Sequence, residues 1–411
     1  MILGGGISPL LFFISMTNKT ILFTAELGSG LGHVAPLVRI VERLEKASKD
    51  VGLSINAVFA AGNGIDARAI TDCRKYPILP VPLLETPEII KSHSSSYSEI
   101  LASYGYTRHS HLSAALSAWD DIINLVQPDL IVAEHSPTVC LAARDRIPTL
   151  IVGNGYTMPP ANIPVFPALK VGMAPPVVQH SILEVVNSLL KRRGQKQLAR
   201  LPELLKGSAR AVFSLPQFDP YAGLRSEPLL GSYHADLAPA PLPEKPHVFL
   251  YFGDRARHLD KIVQTAAQTG AIIAAYLGPT ETPAKQFLKN RGAKVYDEPP
   301  SISGILKEVS IVVSNGGAGL AHAATIVGRP QIVIPIHAES QITAGRIESM
   351  GLGLAIENNV KEELEGAFDI LLQAGSYSET ALQVAGLLQK QMLSNDPVGD
   401  VAQMALGPLK S

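Results

Sequence analysis

Two short stretches concentrate the residues that could do chemistry. The first is ELGSGLGHVAP, residues 26–36, where Gly28, Gly30 and Gly32 lead into His33 and then into a helix-patterned segment. An imidazole titrates near neutrality and can take a proton from a hydroxyl. A histidine at the opening of a helix, just past a strand, is therefore a candidate general base, although its position leaves a capping or packing role open. The second stretch is IVVSNGGAGLAHAATIVGRPQIVIPIHAES, residues 311–340. A β-branched run ends at Ser314, and Asn315, Gly316, Gly317, Ala318 and Gly319 follow. Glycines there let backbone N–H groups approach a ligand, and the positive end of the following helix points to the same place. The chemistry this suits is a cradle for a phosphate or diphosphate; a tight turn with no ligand would use the same glycines.

Other polar residues have plainer roles open to them. His109 and His111, one residue apart beside Arg108, could ligate a metal, but no third ligand stands near them in the sequence. Trp119 falls on the apolar face of ALSAWDDIINL and reads as core. His135 follows Glu134 in a strand-like run, so alternation sends it to the opposite side, where it should pack. His322 reads as the interior of a helix. The first glycine turn departs from the dinucleotide pattern, because its third glycine position is His33 and SINAVFAAG ends without an acidic residue. NAD and FAD are therefore disfavoured as cofactors.

The elements that must hold these stretches alternate short apolar runs with amphipathic segments, the mark of parallel sheets with helices on both faces. Strands are expected at 21–27, 54–62, 76–82, 128–135 and 148–155, and again at 247–253, 271–278, 293–299, 309–315 and 329–336. A helical stretch is expected over about 178–206. Residues 216–246 are rich in proline and read as a linker. The division is then a first Rossmann-like domain over 18–215, the linker, and a second Rossmann-like domain over 247–411, whose last helix could pack back on the first.

Composition narrows the class. The 411 residues are 46% hydrophobic and 17% charged, enough for two domains with cores of their own. A formal net charge of -1 and a pI near 6.8 give no basic face for a phosphate backbone, so nucleic acid is not an expected partner. Cys73 and Cys140 lie far apart in apolar contexts, which suits buried thiols in a reducing compartment. The opening MILGGGISPLLFFISM lacks a basic n-region and is too short to span a bilayer. Residues 1–17 are expected to be a disordered or artefactual extension, and the protein to be cytoplasmic. No transmembrane segment is expected; peripheral membrane contact stays open, without a basic amphipathic helix to support it.

Together, GSGLGHVAP near the N-terminus and SNGGAGLAHAATIVGRPQIVIPIHAESQITAGRIESMGLG near the C-terminus resemble the family 1, UDP-glycosyltransferase-type glycosyltransferases of the GT-B fold. The family pattern is G-H-x-x-P after the first strand, then H-G-G-x-G-T, G-x-P-x-x-x-x-P, D/E-Q and N-A-x-R in the second domain, and the likeness runs over about residues 18–400.

The resemblance implies two Rossmann-like, doubly wound α/β domains facing across a cleft, the first for the acceptor and the second for a nucleotide sugar, with UDP- or dTDP-sugars favoured. It implies an inverting hexosyltransferase that needs no metal or organic cofactor. His33 stands at the base, Glu134 at the carboxylate that orients it, and Gly316, Gly317, Ala318 and Gly319 at the diphosphate. Gly253 and Asp254 stand at the phosphate side of the cleft. Glu339, with Ser340 after it, stands at the donor sugar, while Gly32, His109 and His111 border the acceptor. The chain departs from the family at Asn315, Leu320, Ala323 and Ser340, and YDEPPSISGIL replaces the segment that seats uracil in many members. Those departures motivate the rival reading of a non-catalytic accessory protein on the same fold; a nucleotide-sugar epimerase is a further alternative.

Overall fold

The computed structural model describes residues 17–28, 31–62, 75–82, 96–169, 175–234, 237–253, 256–357, 360–373, 375–391 and 396–410. The first half builds β1 (Thr17–Ala25), α1 (Leu31–Lys49), β2 (Leu53–Ala61), β3 (Ile78–Pro80), α2 (Tyr97–Ser103), α3 (His109–Val126), β4 (Leu130–Glu134), α4 (Pro137–Ala143), β5 (Thr149–Asn154), α5 (Val178–Arg192) and β6 (Ala209–Phe213). The second half builds β7 (His247–Phe252), α6 (Leu259–Gln268), β8 (Ile272–Leu277), α7 (Pro283–Lys289), β9 (Lys294–Tyr296), α8 (Ile302–Glu308), β10 (Ile311–Ser314), α9 (Ala318–Val327), β11 (Gln331–Val333), α10 (Ala338–Ser349) and β12 (Gly353–Ala355). Three helices close the chain: α11 (Val360–Gln373), α12 (Gly375–Gln391) and α13 (Pro397–Leu409).

Each half forms a six-stranded parallel sheet, ordered β3-β2-β1-β4-β5-β6 in the first and β12-β11-β10-β7-β8-β9 in the second. Numbered within its own half, the second order is the same as the first. Apolar side chains leave both faces of each strand because helices cover both faces. Leu22, Ile131 and Ile151 pack under α3 and α5 on one side of the first sheet, while Ile21, Phe23 and Val132 pack under α1 on the other. The second sheet is sandwiched in the same way. The chain's last helix, α13, lays Val401, Ala405 and Leu406 into the core of the first half.

Ten strands fall on the expected runs. The two unforeseen strands, β6 and β12, are outer strands of their sheets. The expected helix over 178–206 stops at Arg192, and a short 3-10 turn over Leu201–Leu205 follows. The proline-rich segment is pinned at both ends. Asp219 and Arg225, both buried, pair at 2.7 Å. Arg329, fully buried, donates to the carbonyls of Leu306, Ala240 and Pro241 at 2.7, 2.9 and 2.8 Å.

Candidate active site

In an open parallel sheet the strand order reverses at one point, and the crevice above the carboxyl ends of those two strands is where ligands fit. In the first half the reversal lies between β1 and β4. Ala25 pairs in register with Glu134 there, and His33 is the third residue of the helix that follows β1. The two side chains meet: His33 Nδ1 lies 2.8 Å from Glu134 Oε2. Thr157 donates to the other carboxylate oxygen at 3.4 Å. Gly28, at φ +88°, does two jobs. It turns the chain out of the strand, and its bare Cα leaves His33 Nε2 uncovered, since a Cβ there would lie 2.2 Å from that nitrogen.

Burial alone would push the His33 imidazole toward neutrality. The charge and hydrogen bond of Glu134, joined by the charge of Glu339, outweigh it and raise the pKa to about 9. Glu134 is pushed upward by its own burial, which His33 opposes. The pair therefore holds a proton between an imidazole and a carboxylate, with Nδ1 committed and Nε2 set against the bare Cα of Gly28.

Other residues at this reversal carried no signal in the sequence. Alternation sends His135 away from Glu134, but His135 adopts φ +41°, and its ring sits 5.6 Å from that of His33 and 5.7 Å from that of Tyr97. It is buried, and burial holds it neutral. The twist follows from how the strand tops are tied. Ser136 Oγ accepts from the Glu26 amide at 2.9 Å and donates to the Glu134 carbonyl at 2.7 Å, while Leu27 N–H donates to the His135 carbonyl at 3.0 Å. Glu26 is a second buried carboxyl, held by Trp119 Nε1 at 3.0 Å and the Thr138 amide at 2.9 Å. Trp119 is core, as expected, and its indole N–H is satisfied there.

Tyr104 places its hydroxyl 3.3 Å from the Gly28 amide, which donates to it. His109 and His111 begin α3, five and seven residues further on, and the His111 Cβ packs near Gly105. Gly32 is exposed, with open space where a Cβ would be. Gly30 lies outside the described residues.

In the second half the reversal lies between β7 and β10, and here side chains are missing. The glycines of the turn have separate reasons. Gly316 has φ +77°, a Cβ on it would lie 2.6 Å from Val333 Cγ1, and its N–H is spent on Ser314 Oγ at 3.1 Å. Gly317 is exposed and faces open space. Gly319 makes room for the hydroxyl of Tyr233, which would lie 2.2 Å from a Cβ. Gly317 caps α9 without any side-chain hydrogen bond, so among the described residues the first amides of that helix have no side-chain capping partner. Asn315 is half-buried beside them. Leu320 and Ala323 are buried in the core beneath. Gly253, just past β7, would meet open space with a Cβ across the same reversal, and Asp254 lies outside the described residues.

A hydrogen bond spans the halves at the cleft: Asn154, at the end of β5, donates to Glu339 at 2.8 Å. Glu339 thus stands between the His33 pair and the bare turn. Ser340 does not join it. Its hydroxyl is fully buried and committed to the start of α10, accepting from Ile336 and His337 amides at 2.9 and 3.1 Å and donating to the His337 carbonyl at 2.8 Å.

Two six-stranded parallel sheets wound alike, with the His33–Glu134 pair over one and a bare glycine turn over the other, have the architecture of the GT-B fold. Known proteins agree. Residues 298–405 match the family described as erythromycin biosynthesis protein CIII-like, C-terminal domain. The L-demethylnoviosyl transferase of Streptomyces niveus is 23% identical over 381 residues, spanning 87% of this chain and 91% of that protein. The calicheamicin glycosyltransferase CalG4 superposes with a TM-score of 0.67 at 18% identity, covering 96% of this chain and 99% of the other. The glycosyltransferase VinC, solved with dTDP, superposes with a TM-score of 0.60 at 18% identity, over 94% and 99%. The resemblance read from the motifs is borne out by these likenesses to glycosyltransferases, and the fold is that of the GT-B enzymes. Among the described residues no helix is long and apolar enough to cross a membrane.

Proposed function

We propose that this enzyme is an inverting glycosyltransferase that moves a sugar from a nucleoside diphosphate sugar to a hydroxyl of a small or lipid-like acceptor. The observation that carries the reading is the His33–Glu134 pair, 2.8 Å apart, set across Glu339 from the uncapped start of α9. A thymidine or uridine nucleotide is the favoured carrier; the dTDP bound by VinC supports the first.

In this reading the acceptor hydroxyl rests on Nε2 of His33, the nitrogen that Gly28 leaves uncovered. Its oxygen attacks the anomeric carbon from the side opposite the diphosphate, and its proton passes to Nε2 as the new C–O bond forms. The bond to the diphosphate oxygen breaks, and that oxygen keeps the electron pair. Glu134 stabilises the imidazolium and fixes the tautomer. The amides at the start of α9 stabilise the charge that grows on the leaving diphosphate. Glu339 exchanges its hydrogen bond from Asn154 for hydroxyls of the donor sugar. Gly253 and Asn315 line the phosphate side. A single displacement inverts the anomeric centre, and no step is routed through a metal or an organic cofactor. The buried free thiol of Cys140 suits a reducing, cytoplasmic setting.

The rival is an accessory protein that keeps the fold without binding a donor, favoured by Leu320 and Ala323, whose apolar side chains are turned into the core. A thermal-shift series with TDP, UDP, GDP and ADP separates the two, because a ligand that binds only the folded state raises its melting temperature. We expect a clear rise with TDP or UDP. No rise with any of the four removes the donor site and leaves the accessory reading.

A further inference from the structure

Gly319 does not open onto the cleft, as a residue kept bare for a phosphate would. It opens onto Tyr233, a residue of the proline-rich connection between the halves. The phenol hydroxyl occupies the space a Cβ on Gly319 would need, and the ring carbons behind it follow at 2.9 and 3.1 Å from where that Cβ would stand. Gly319 is the second residue of α9, so this hydroxyl sits beside the amides that no side chain caps.

The rest of Tyr233 belongs to the other half. Its ring packs on the core under β1 and α1, edge-on to Phe213 at 6.0 Å and 80°, and against His234 at 4.4 Å. The chain around it is held as well: the His234 amide donates to Ser232 Oγ at 3.2 Å. Tyr233 is thus a rigid post rooted in the first half with its polar tip on the second. No hydrogen bond joins that tip to another described residue. Burial, opposed by the charge of Arg39 and assisted by that of Glu134, lifts the phenol to about 12, so it keeps its proton at neutral pH and can only donate to an anion.

We propose that Tyr233 is a donor-binding residue, its hydroxyl giving a hydrogen bond to the diphosphate of the nucleotide sugar from the side of the connection. This rests on the donor site proposed above and adds to it a contact from outside the second half. The chemistry matches the place. A diphosphate seated on the α9 amides brings unsaturated acceptor oxygens next to a protonated phenol that lacks a partner, and a neutral donor to a charged oxygen is among the stronger hydrogen bonds available. It also links occupancy to closure. A diphosphate held by α9 and by Tyr233 at once bridges the two halves, so an occupied donor site draws the first half, with His33, toward the second.

The test is Tyr233→Phe, which keeps the ring and removes only the hydroxyl. Thymidine diphosphate is titrated into wild type and variant by calorimetry, with uridine diphosphate in parallel, and the melting temperature of each free protein is measured. Loss of one hydrogen bond to a charged oxygen weakens binding about tenfold or more. We expect that loss, with free-protein melting temperatures that coincide. Equal affinities for the two proteins overturn the proposal and leave Tyr233 a packing residue. Tighter binding by the variant also overturns it, since the phenol would then be a plug in the cradle. If wild type binds neither nucleotide, the donor site itself is wrong and the proposal falls with it. A difference between the two proteins therefore bears on Tyr233 alone.

Discussion

The two reversal points occupy equivalent positions in sheets of the same strand order, yet they are furnished in opposite ways. Above β1 and β4 stand an imidazole, two buried carboxyls and a second imidazole; above β7 and β10 the turn itself, Gly316 to Gly319, offers mostly backbone. Under the proposed function the difference follows from what each would hold. A proton can be moved only by a group whose pKa the surroundings can tune, so the first point needs side chains and neighbours that act on them. A diphosphate needs fixed positive dipoles with nothing in front of them, so the second needs amides and empty space. The first point should therefore be sensitive to pH and to removal of atoms, and the second to addition of atoms.

The largest effect expected from this comparison is at His33. His33→Ala should lower kcat by about 10²-fold or more while leaving the affinity for TDP near that of wild type, because the base is lost and the cradle is not. The pH dependence sharpens the same point. The base form of His33 is the deprotonated one, and its pKa is raised to about 9, so kcat/KM should climb from neutrality and level near pH 9. In Glu134→Gln the main upward influence is gone while burial, which pushes down, remains, so the limb should move to lower pH. A limb that stays in place in that variant would remove Glu134 from the role given to it.

The sequence made one reversal point more legible than the other. His33 was visible because a strand, a glycine turn and a helix are local patterns, and the bare turn was visible for the same reason. The parallel halves were legible from apolar runs, since strands covered on both faces have to be apolar throughout. β12 escaped because it is three residues long and begins at Gly353, whose bare Cα lets Gln331 of the neighbouring strand approach; a Cβ would lie 1.8 Å from the Gln331 carbonyl oxygen. β6 escaped because ARAVF sits between a helical pattern and a proline-rich one. His135 packs, as expected, but beside His33 and not on the far side, because alternation assumes extended backbone and the positive φ just past β4 breaks that assumption. Glu339 meeting Asn154, 185 residues away, and Tyr233 filling the space of Gly319 are contacts between halves, which no local pattern encodes.

A second expectation separates glycines kept for the fold from glycines kept for a ligand. Gly316→Ala places a methyl group at φ +77° against Val333, and should destabilise the protein by about 1–3 kcal/mol. Gly317→Ala meets open space at φ -60°, so its melting temperature should match wild type. Its new methyl group stands where the diphosphate is proposed to sit, however, and TDP affinity should fall about tenfold through lost amide contacts. If the two variants behave alike, the bare turn is bare only for folding, and the contrast between the reversal points loses its second half.

The smallest effect concerns the hydrogen bond between the halves. Asn154 uses its side-chain oxygen to accept from the Tyr156 and Thr157 amides, both at 2.9 Å, and its amide nitrogen to reach Glu339. Asn154→Asp keeps the acceptor for the local turn and turns the cross-cleft partner into a like charge. The first half should therefore stay intact while the closed arrangement is disfavoured. Because the carboxylates face a cleft open to water, salt screens the repulsion. The donor KM should rise a few-fold at low ionic strength and return toward wild type at high salt, with the melting temperature little changed. A rise that ignores salt would mean that Asn154 acts through the turn it caps and not through Glu339. Both halves would then reach the donor independently, and the closure that links them would depend on Tyr233.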